Sequence, residues 1–254
     1  AFRTEYDKPG DPPSRDVAAL IHVTQPFREP RIHRAFPGGL EDLEKYRAEV
    51  LYGVHDHWID PAAGKWEYTY HQRLRSYPLS DKDSRIDQLA KVIEKLREAP
   101  YTRRAQAVTW QAWQDQDVSD PPCLQRLWFR VGDGRLHMNC HIRSNDAYKA
   151  GFMNMYAFTE LQAWVAAEVG VEPGEYLHFA DSFHIYGSYF DEFEGFLKTV
   201  ANRSVEDRTF TTEFARPFFI DGSNALLAEK DMPAEKKAVV EERLASISTA
   251  TIAD

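Results

Sequence analysis

Two cysteines stand in the stretch DPPCLQRLWFRVGDGRLHMNCHIRSND, Cys123 directly after Pro121 and Pro122, and Cys140 inside the alternating run RLHMNCHIRS. A cysteine attacks as its thiolate, so a working thiol needs positive charge or hydrogen bonds that bring its pKa down from about 8.5. A lone cysteine is by default a small buried apolar residue. The Pro-Pro pair sets Cys123 apart, because it fixes the backbone just before a strand and makes a rigid platform for a nucleophile. Cys140 has no such feature, and Arg126, three residues beyond Cys123, points to the other side of a strand. Arg103 and Arg104 in YTRRAQ diverge after a helix, so at least one can project toward a ligand or partner. Arg143 and Ser144 in IRSND set a guanidinium beside a hydroxyl, a pair able to grip a phosphate. Asn154 carries a carboxamide whose donor and acceptor match the N3–H and O4 edge of uracil. His184 and Tyr186 in FHIY, two apart on a strand, share a face and offer two polar tips for a sugar hydroxyl. A Cys-His hydrolase would need one of nine histidines as base, and the sequence selects none. HDHW (His55, Asp56, His57) lacks a distant third ligand, so no metal is expected.

The elements that must hold these groups follow from periodicity. LEDLEKYRAEVLYG places Leu40, Leu43, Tyr46, Val50 and Leu51 on one helical face and stops at Gly53. HDHWIDPAAGKWEYTYHQRLRSY reads as a turn at Pro61 to Gly64 followed by an extended segment, and DSRIDQLAKVIEKLREAP as a helix capped at Asp83 or Ser84, with Ile86, Leu89, Ile93 and Leu96 inward and Pro100 at its end. A strand is expected over Ala18 to Val23. AQAVTWQAW, CLQRLWFRV and RLHMNCHIRS read as strands, the last two joined by a hairpin at GDG. A buried helix then runs from Gly151 to Gly170, EYLHFADSFHIY forms a strand, and GSYFDEFEGFLKTVA and PAEKKAVVEERLASI form helices. Helices mixed with antiparallel strands give an α+β fold.

The 254 residues, 43% of them hydrophobic, suffice for one sizeable core, taken as a single domain over residues 1–254. A net charge of -9 argues against nucleic acid or an anionic membrane surface as partner. No window approaches a membrane span and the first residues lack a signal-peptide layout, so a soluble, reduced, cytoplasmic setting is expected.

Taken in order from Ser84 to Tyr189, the helix, the double arginine, the proline-cysteine, the arginine-serine, the asparagine and the histidine-x-tyrosine resemble the thymidylate synthase family, including its pyrimidine nucleotide hydroxymethylases. The resemblance implies a mixed sheet with flanking helices, a sheet-mediated homodimer, and folate-dependent one-carbon transfer to C5 of a pyrimidine nucleoside monophosphate. By it, Cys123 is the nucleophile that adds to C6, Arg143 and Ser144 bind the phosphate, and Arg103 and Arg104 reach the partner's phosphate. Asn154 reads the base, His184 and Tyr186 meet the sugar 3′-hydroxyl, and Asp146 contacts the pterin of 5,10-methylenetetrahydrofolate, the implied co-substrate. Trp58 and Tyr68 or Tyr70 fall near the family's aromatic run, with Trp58 assigned to the cofactor and Tyr70 to catalysis. Glu49 takes the place of the catalytic glutamate. Several guanidinium groups around a nucleotide phosphate would also stabilise the nearby Cys123 thiolate.

The chain departs from that pattern at Leu124, where the family has a histidine, and at Ser182, where it has an aspartate; Ser188 and Tyr189 replace an asparagine and a histidine. The end ASISTATIAD lacks the family's apolar closing tail. Hydride transfer to the exocyclic methylene gives a methyl group and needs a dry site, whereas water gives hydroxymethyl. Methylation of dUMP to dTMP is the leading expectation, hydroxymethylation of dUMP, dCMP or CMP the alternative, and a non-catalytic nucleotide- or RNA-binding protein on the same scaffold the lesser one.

Overall fold

The computed structural model describes residues 1–4, 6–81 and 83–249. Residues 250–254, the end of ASISTATIAD, lie outside them. Among the described residues nine strands and seven α-helices follow one another: β1 (Arg15–Val23), β2 (Ile32–His33), α1 (Leu40–Tyr52), α2 (Tyr70–Arg75), β3 (Tyr77–Pro78), β4 (Arg85–Ile86), α3 (Gln88–Glu98), β5 (Gln106–Val108), β6 (Leu124–Gly132), β7 (Arg135–Asp146), α4 (Gly151–Val169), β8 (Glu172–Ile185), α5 (Phe190–Asn202), β9 (Thr209–Phe210), α6 (Thr212–Leu227) and α7 (Ala234–Thr249). Five strands form one sheet in the order β1-β8-β7-β6-β5. Its pairs are antiparallel except β7 with β8, which run parallel. A parallel pair needs a crossover, and the 19-residue α4 supplies it. The architecture is α+β with a mixed sheet. No helix among the described residues is long and apolar enough to cross a membrane.

The β6–β7 hairpin turns at Asp133 and Gly134, both with positive φ (50° and 70°). Two left-handed residues make the turn whose twist matches paired strands, and Asp-Gly is the dipeptide that tolerates it. That turn sets the register in which Leu127 faces Cys140 and Leu124 faces Ile142. Helices α1, α3 and α4 cover one face of the sheet, and Leu89, Leu96, Leu127, Phe129, Met138, Cys140, Phe158, Val165 and Tyr176 fill the space between. A second cluster joins α1 and α4 to α6 and α7 through Leu40, Leu43, Tyr156, Ala215, Phe219 and Ile247. Gly222 lets α6 approach α1 closely, since a Cβ there would lie 2.7 Å from the Glu41 carbonyl oxygen.

Three expectations are corrected. The segment after Gly64 is not simply extended: Thr69 accepts the Gln72 N–H as an N-cap and starts α2 at Tyr70. The α3 cap is Asp87, which accepts from Ala90 N–H, not Asp83 or Ser84; Ser84 is held in a turn by Asp81, and Ile86 pairs with Tyr77 in β4. Helix α6 was not anticipated, because Pro217 sits inside it and proline reads as a helix break.

Candidate active site

Cys123 is fixed from both sides of the chain. Upstream, Arg73 on α2 makes a bidentate pair with Asp115 (2.8 and 3.0 Å) and also donates to the Thr109 carbonyl. Asp115 in turn accepts from the Gln111 N–H, so the segment leading to the cysteine hangs on a buried ion pair. Next to the thiol, the Arg143 guanidinium donates to the carbonyls of Pro121 (2.6 Å) and Pro122 (3.1 Å), and the Arg143 N–H donates to the Cys123 carbonyl (2.8 Å). The prolines have no N–H to offer, and β7 takes up their free acceptors instead. Downstream, the Leu124 N–H donates to the Tyr70 hydroxyl (3.3 Å), and Tyr68 is hydrogen-bonded to both the Cys123 backbone and Tyr70.

Burial is the largest influence on this thiol and pushes its pKa above the usual cysteine range; Arg143 opposes the shift and Asp120 adds to it. Among the described residues the single chain without nucleotide has no cluster of arginines around this thiol. Among these residues Arg143 is the cation that acts on it, while Arg103 and Arg104 are exposed on the chain before β5 and have no ion-pair partner there. Desolvation outweighs one guanidinium, so the resting thiol keeps its proton.

Beside Cys123 opens a cleft of about 560 Å³ lined by Tyr46, Glu49, Trp66, Tyr68, Tyr70 and Asp120, among others. Tyr46 and Glu49, three apart on α1, share its helical face. The Glu49 carboxylate accepts from His55 Nδ1 at 3.0 Å, and the His55 ring stacks on Trp58 at 3.8 Å. Carboxylate contacts to Glu49 and Glu229 outweigh burial and raise the His55 pKa. Trp58 donates its indole N–H to Asp231 and meets Trp66 edge-on at 5.2 Å, so Trp66 is the indole that lines the cleft and Trp58 supports it. Tyr46 donates its hydroxyl proton to Asn154 Oδ1 at 2.6 Å, tying α1 to α4.

At the far ends of β7 and β8 lies the remaining polar group. His184 Nδ1 meets Ser182 Oγ (3.0 Å), and Ser182 donates to Asp16 Oδ2 (2.7 Å) on β1, directly opposite His184 in register. Because the serine proton goes to the carboxylate, Nδ1 of the imidazole is the donor, which leaves Nε2 an acceptor in the neutral ring. That Nε2 is buried without a partner among the described residues, as is Asp16 Oδ1. The missing family aspartate at Ser182 is thus answered from the neighbouring strand. Tyr186 packs edge-on against His184 at 4.7 Å. Asp146 caps its turn by accepting from the N–H groups of Tyr148 and Lys149, and also accepts from the Tyr189 hydroxyl. Ser144 pairs in register with Ser182.

Arg143 and Tyr70 thus hold the backbone around Cys123, Tyr46, Glu49 and Tyr70 line one cleft, Tyr46 ties Asn154 to it, His184 and Tyr186 form a separate group, and Arg103 and Arg104 are exposed. Sequence reasoning had used Tyr46 only as a core residue and passed over Trp66; the i, i+3 spacing of Tyr46 and Glu49 was the available signal. The chain matches the family model described as thymidylate synthase over residues 40–210. It belongs to the thymidylate synthase family. The match begins with α1 and so includes Glu49, upstream of the stretch that first carried the resemblance. Among its relatives, a "Putative thymidylate synthase" of Methanosarcina acetivorans is 34% identical over 181 residues, 71% of this chain and 77% of the relative. A protein of the same name from Methanocaldococcus jannaschii is 36% identical over 172 residues, 66% of this chain and 72% of the relative. One from Methanopyrus kandleri is 39% identical over 132 residues, 52% and 60% respectively.

Proposed function

We propose that this family member transfers a one-carbon unit to C5 of a pyrimidine nucleoside monophosphate, with dUMP as substrate and dTMP as product. The mounting of Cys123 carries the reading: a half-buried thiol on a backbone clamped by Arg143, whose neighbour Leu124 is held by Tyr70, a residue that lines the cleft together with Glu49. Its thiolate adds to C6, the C5–C6 π pair moves toward C5 and O4, and C5 bonds to the incoming carbon. C5 then loses its proton, the C–N bond between the new carbon and its donor breaks to leave an exocyclic methylene, and a hydride or a water would add to that methylene as the C5–C6 double bond re-forms and the thiolate leaves. Glu49, oriented by His55, is the carboxylate for the proton transfers, and Tyr70 holds the Leu124 backbone beside the nucleophile. Arg143 and Ser144 would bind the phosphate, Asn154 the base, and His184 Nε2 the proton of the sugar hydroxyl, with Tyr186 beside it.

Methylenetetrahydrofolate, when bound, supplies the carbon and, for a methyl product, the hydride. The cleft fits such a flat heteroaromatic group: Trp66 and Tyr68 give it aromatic walls and Glu49 a hydrogen-bond acceptor, while Trp58 backs Trp66 and Asp146 keeps acceptor capacity beyond its turn. The same reading makes the protein a homodimer joined through the uncovered sheet face, with Arg103 and Arg104 contributed to the partner's phosphate. Their exposure and lack of ion pairs support this, as does the exposure of Leu20 and Val17 on β1. Hydroxymethylation remains the second reading, favoured by the open rim at Lys65 and Trp66, through which water reaches the cleft.

Incubation of the protein with methylenetetrahydrofolate and [5-³H]dUMP, dCMP, UMP or CMP, followed by mass analysis of the nucleotide, tests the proposal. Tritium release with dUMP and a gain of one methyl are expected, and both vanish in Cys123→Ala while nucleotide binding persists. A hydroxymethyl product establishes the second reading, and no release from any of the four nucleotides overturns both. Mixing Arg103→Ala/Arg104→Ala chains with Cys123→Ala chains should restore release in heterodimers; absence of complementation contradicts the shared site.

A further inference from the structure

Asn154 is buried (7% exposed) on α4, and its carboxamide is held at one end: Tyr46 donates to Oδ1 at 2.6 Å, while Nδ2 has no hydrogen-bond partner among the described residues. A carboxamide is nearly symmetric in shape, so which end faces a ligand is decided by its neighbours. A phenol is a good donor and a poor acceptor, since its oxygen lone pair is drawn into the ring. Tyr46 therefore favours the carboxamide oxygen over the amino group. Burial beside Glu49 and Tyr68 also keeps the Tyr46 proton in place, raising its pKa well above the usual phenol value.

We propose that Tyr46 is a positioning residue that selects the base: by holding Oδ1 of Asn154 it turns the Nδ2–H donors outward and suits the site to uracil rather than cytosine. The inference rests on the reading above in which Asn154 meets the pyrimidine edge. Uracil offers a keto oxygen at C4, which accepts an N–H. Oδ1, with its second lone pair, can still take the N3–H. Cytosine places an amino group at C4, so N–H would meet N–H. Its N3 could accept the amide only if the ring slid along its edge, carrying C6 away from the Cys123 thiol. A carboxamide free to turn over would serve either base, and the Tyr46 hydroxyl removes that freedom. A site built to hydrogen-bond one edge rejects the wrong one strongly, because buried polar groups are then left unpaired.

Equilibrium binding of dUMP and dCMP to the full chain, measured by calorimetry, tests this. Wild type should bind dUMP at least tenfold more tightly than dCMP. In Tyr46→Phe, which removes only the hydroxyl, the ratio should fall to about threefold or less through a gain in dCMP affinity. In Asn154→Ala the ratio should be lost, and adding Tyr46→Phe should change it no further. A thermal melt of each variant shows whether it is folded; should Tyr46→Phe not fold, Tyr46→Leu replaces it in the same series. A ratio unchanged by removal of the hydroxyl, or an equal effect in the Asn154→Ala background, overturns the positioning role. A wild-type preference for dCMP overturns the uracil assignment alone. Binding of neither nucleotide by wild type sinks the proposed function itself, and this inference with it.

Discussion

Cys123 and Cys140 lie on the same stretch of chain, one just ahead of β6 and the other in the middle of β7, yet different parts of the two residues are held. Cys140 is 1% exposed, and burial pushes its thiol up to about 12 despite a hydrogen bond with Tyr176. Tyr176 is bonded to His178 Nδ1 (2.7 Å), whose Nε2 reaches Asn145 Oδ1 (2.8 Å), so Cys140 begins a closed polar chain through the core. Around Cys123 it is the backbone that is satisfied, by Arg143, Tyr70 and Tyr68, while the thiol is left half-buried. In Cys123 the main chain is held and the side chain left free, the arrangement the proposed nucleophile needs, whereas in Cys140 the side chain itself is occupied.

The largest contrast is in activity. Cys123→Ser should lower tritium release by roughly 1000-fold or more, the scale on which loss of a nucleophile acts. Cys140→Ser should keep release within about threefold and lower stability by ~1–2 kcal/mol, read by urea unfolding. Equal losses would erase the distinction between the two thiols.

Asp115→Asn probes the anchor on the Cys123 side. It leaves the Arg73 charge buried and unpaired and should cost about 3–5 kcal/mol of stability. A cost under 1 kcal/mol would mean that the segment before the cysteine is held by something other than this pair.

His178 probes the Cys140 side. Burial lowers its pKa from 6.5 to about 4. The unfolded chain takes this proton near pH 6.5 and the folded one only near 4, so the stabilisation is complete above pH 6.5 and is lost as the pH falls through that window. The loss amounts to ~3 kcal/mol between pH 7 and 4. His178→Phe should remove this part of the slope in urea unfolding across that range; an unchanged slope would assign it elsewhere.

The smallest contrast is chemical. Iodoacetamide should alkylate Cys123 at a rate that rises with pH beyond 9, because its thiol pKa is raised, and about 100-fold faster than Cys140 in the folded protein. A rate for Cys123 already flat at pH 7 would show a thiolate at rest and contradict the burial effect.

Much of this was legible in the chain itself. The Asp-Gly turn set the β6–β7 hairpin, apolar spacing and Gly53 marked α1, and the run to Gly170 marked α4. Local signals that compete were harder to weigh: Thr69 caps α2 inside a tyrosine-rich run that reads as extended, and Pro217 hides α6. Groups that meet only through register had no signal at all. Asp16 joins Ser182 and His184 because β1 pairs with β8, and Tyr46 meets Asn154 because α1 packs on α4. The raised pKa of the Cys123 thiol in the chain by itself has no sequence signal for a related reason. Sequence shows arginines but not the burial that outweighs them.

The central claim is that Cys123 forms a covalent bond to C6 of a uridylate. Intact-mass measurement with methylenetetrahydrofolate and 5-fluoro-dUMP, whose C5 fluorine cannot leave as a proton, tests it most directly. The account predicts a stable adduct on the wild-type chain, mapped by peptide analysis to Cys123 and absent from Cys123→Ser. An adduct on Cys140, or none on any residue while the nucleotide is bound, would contradict it.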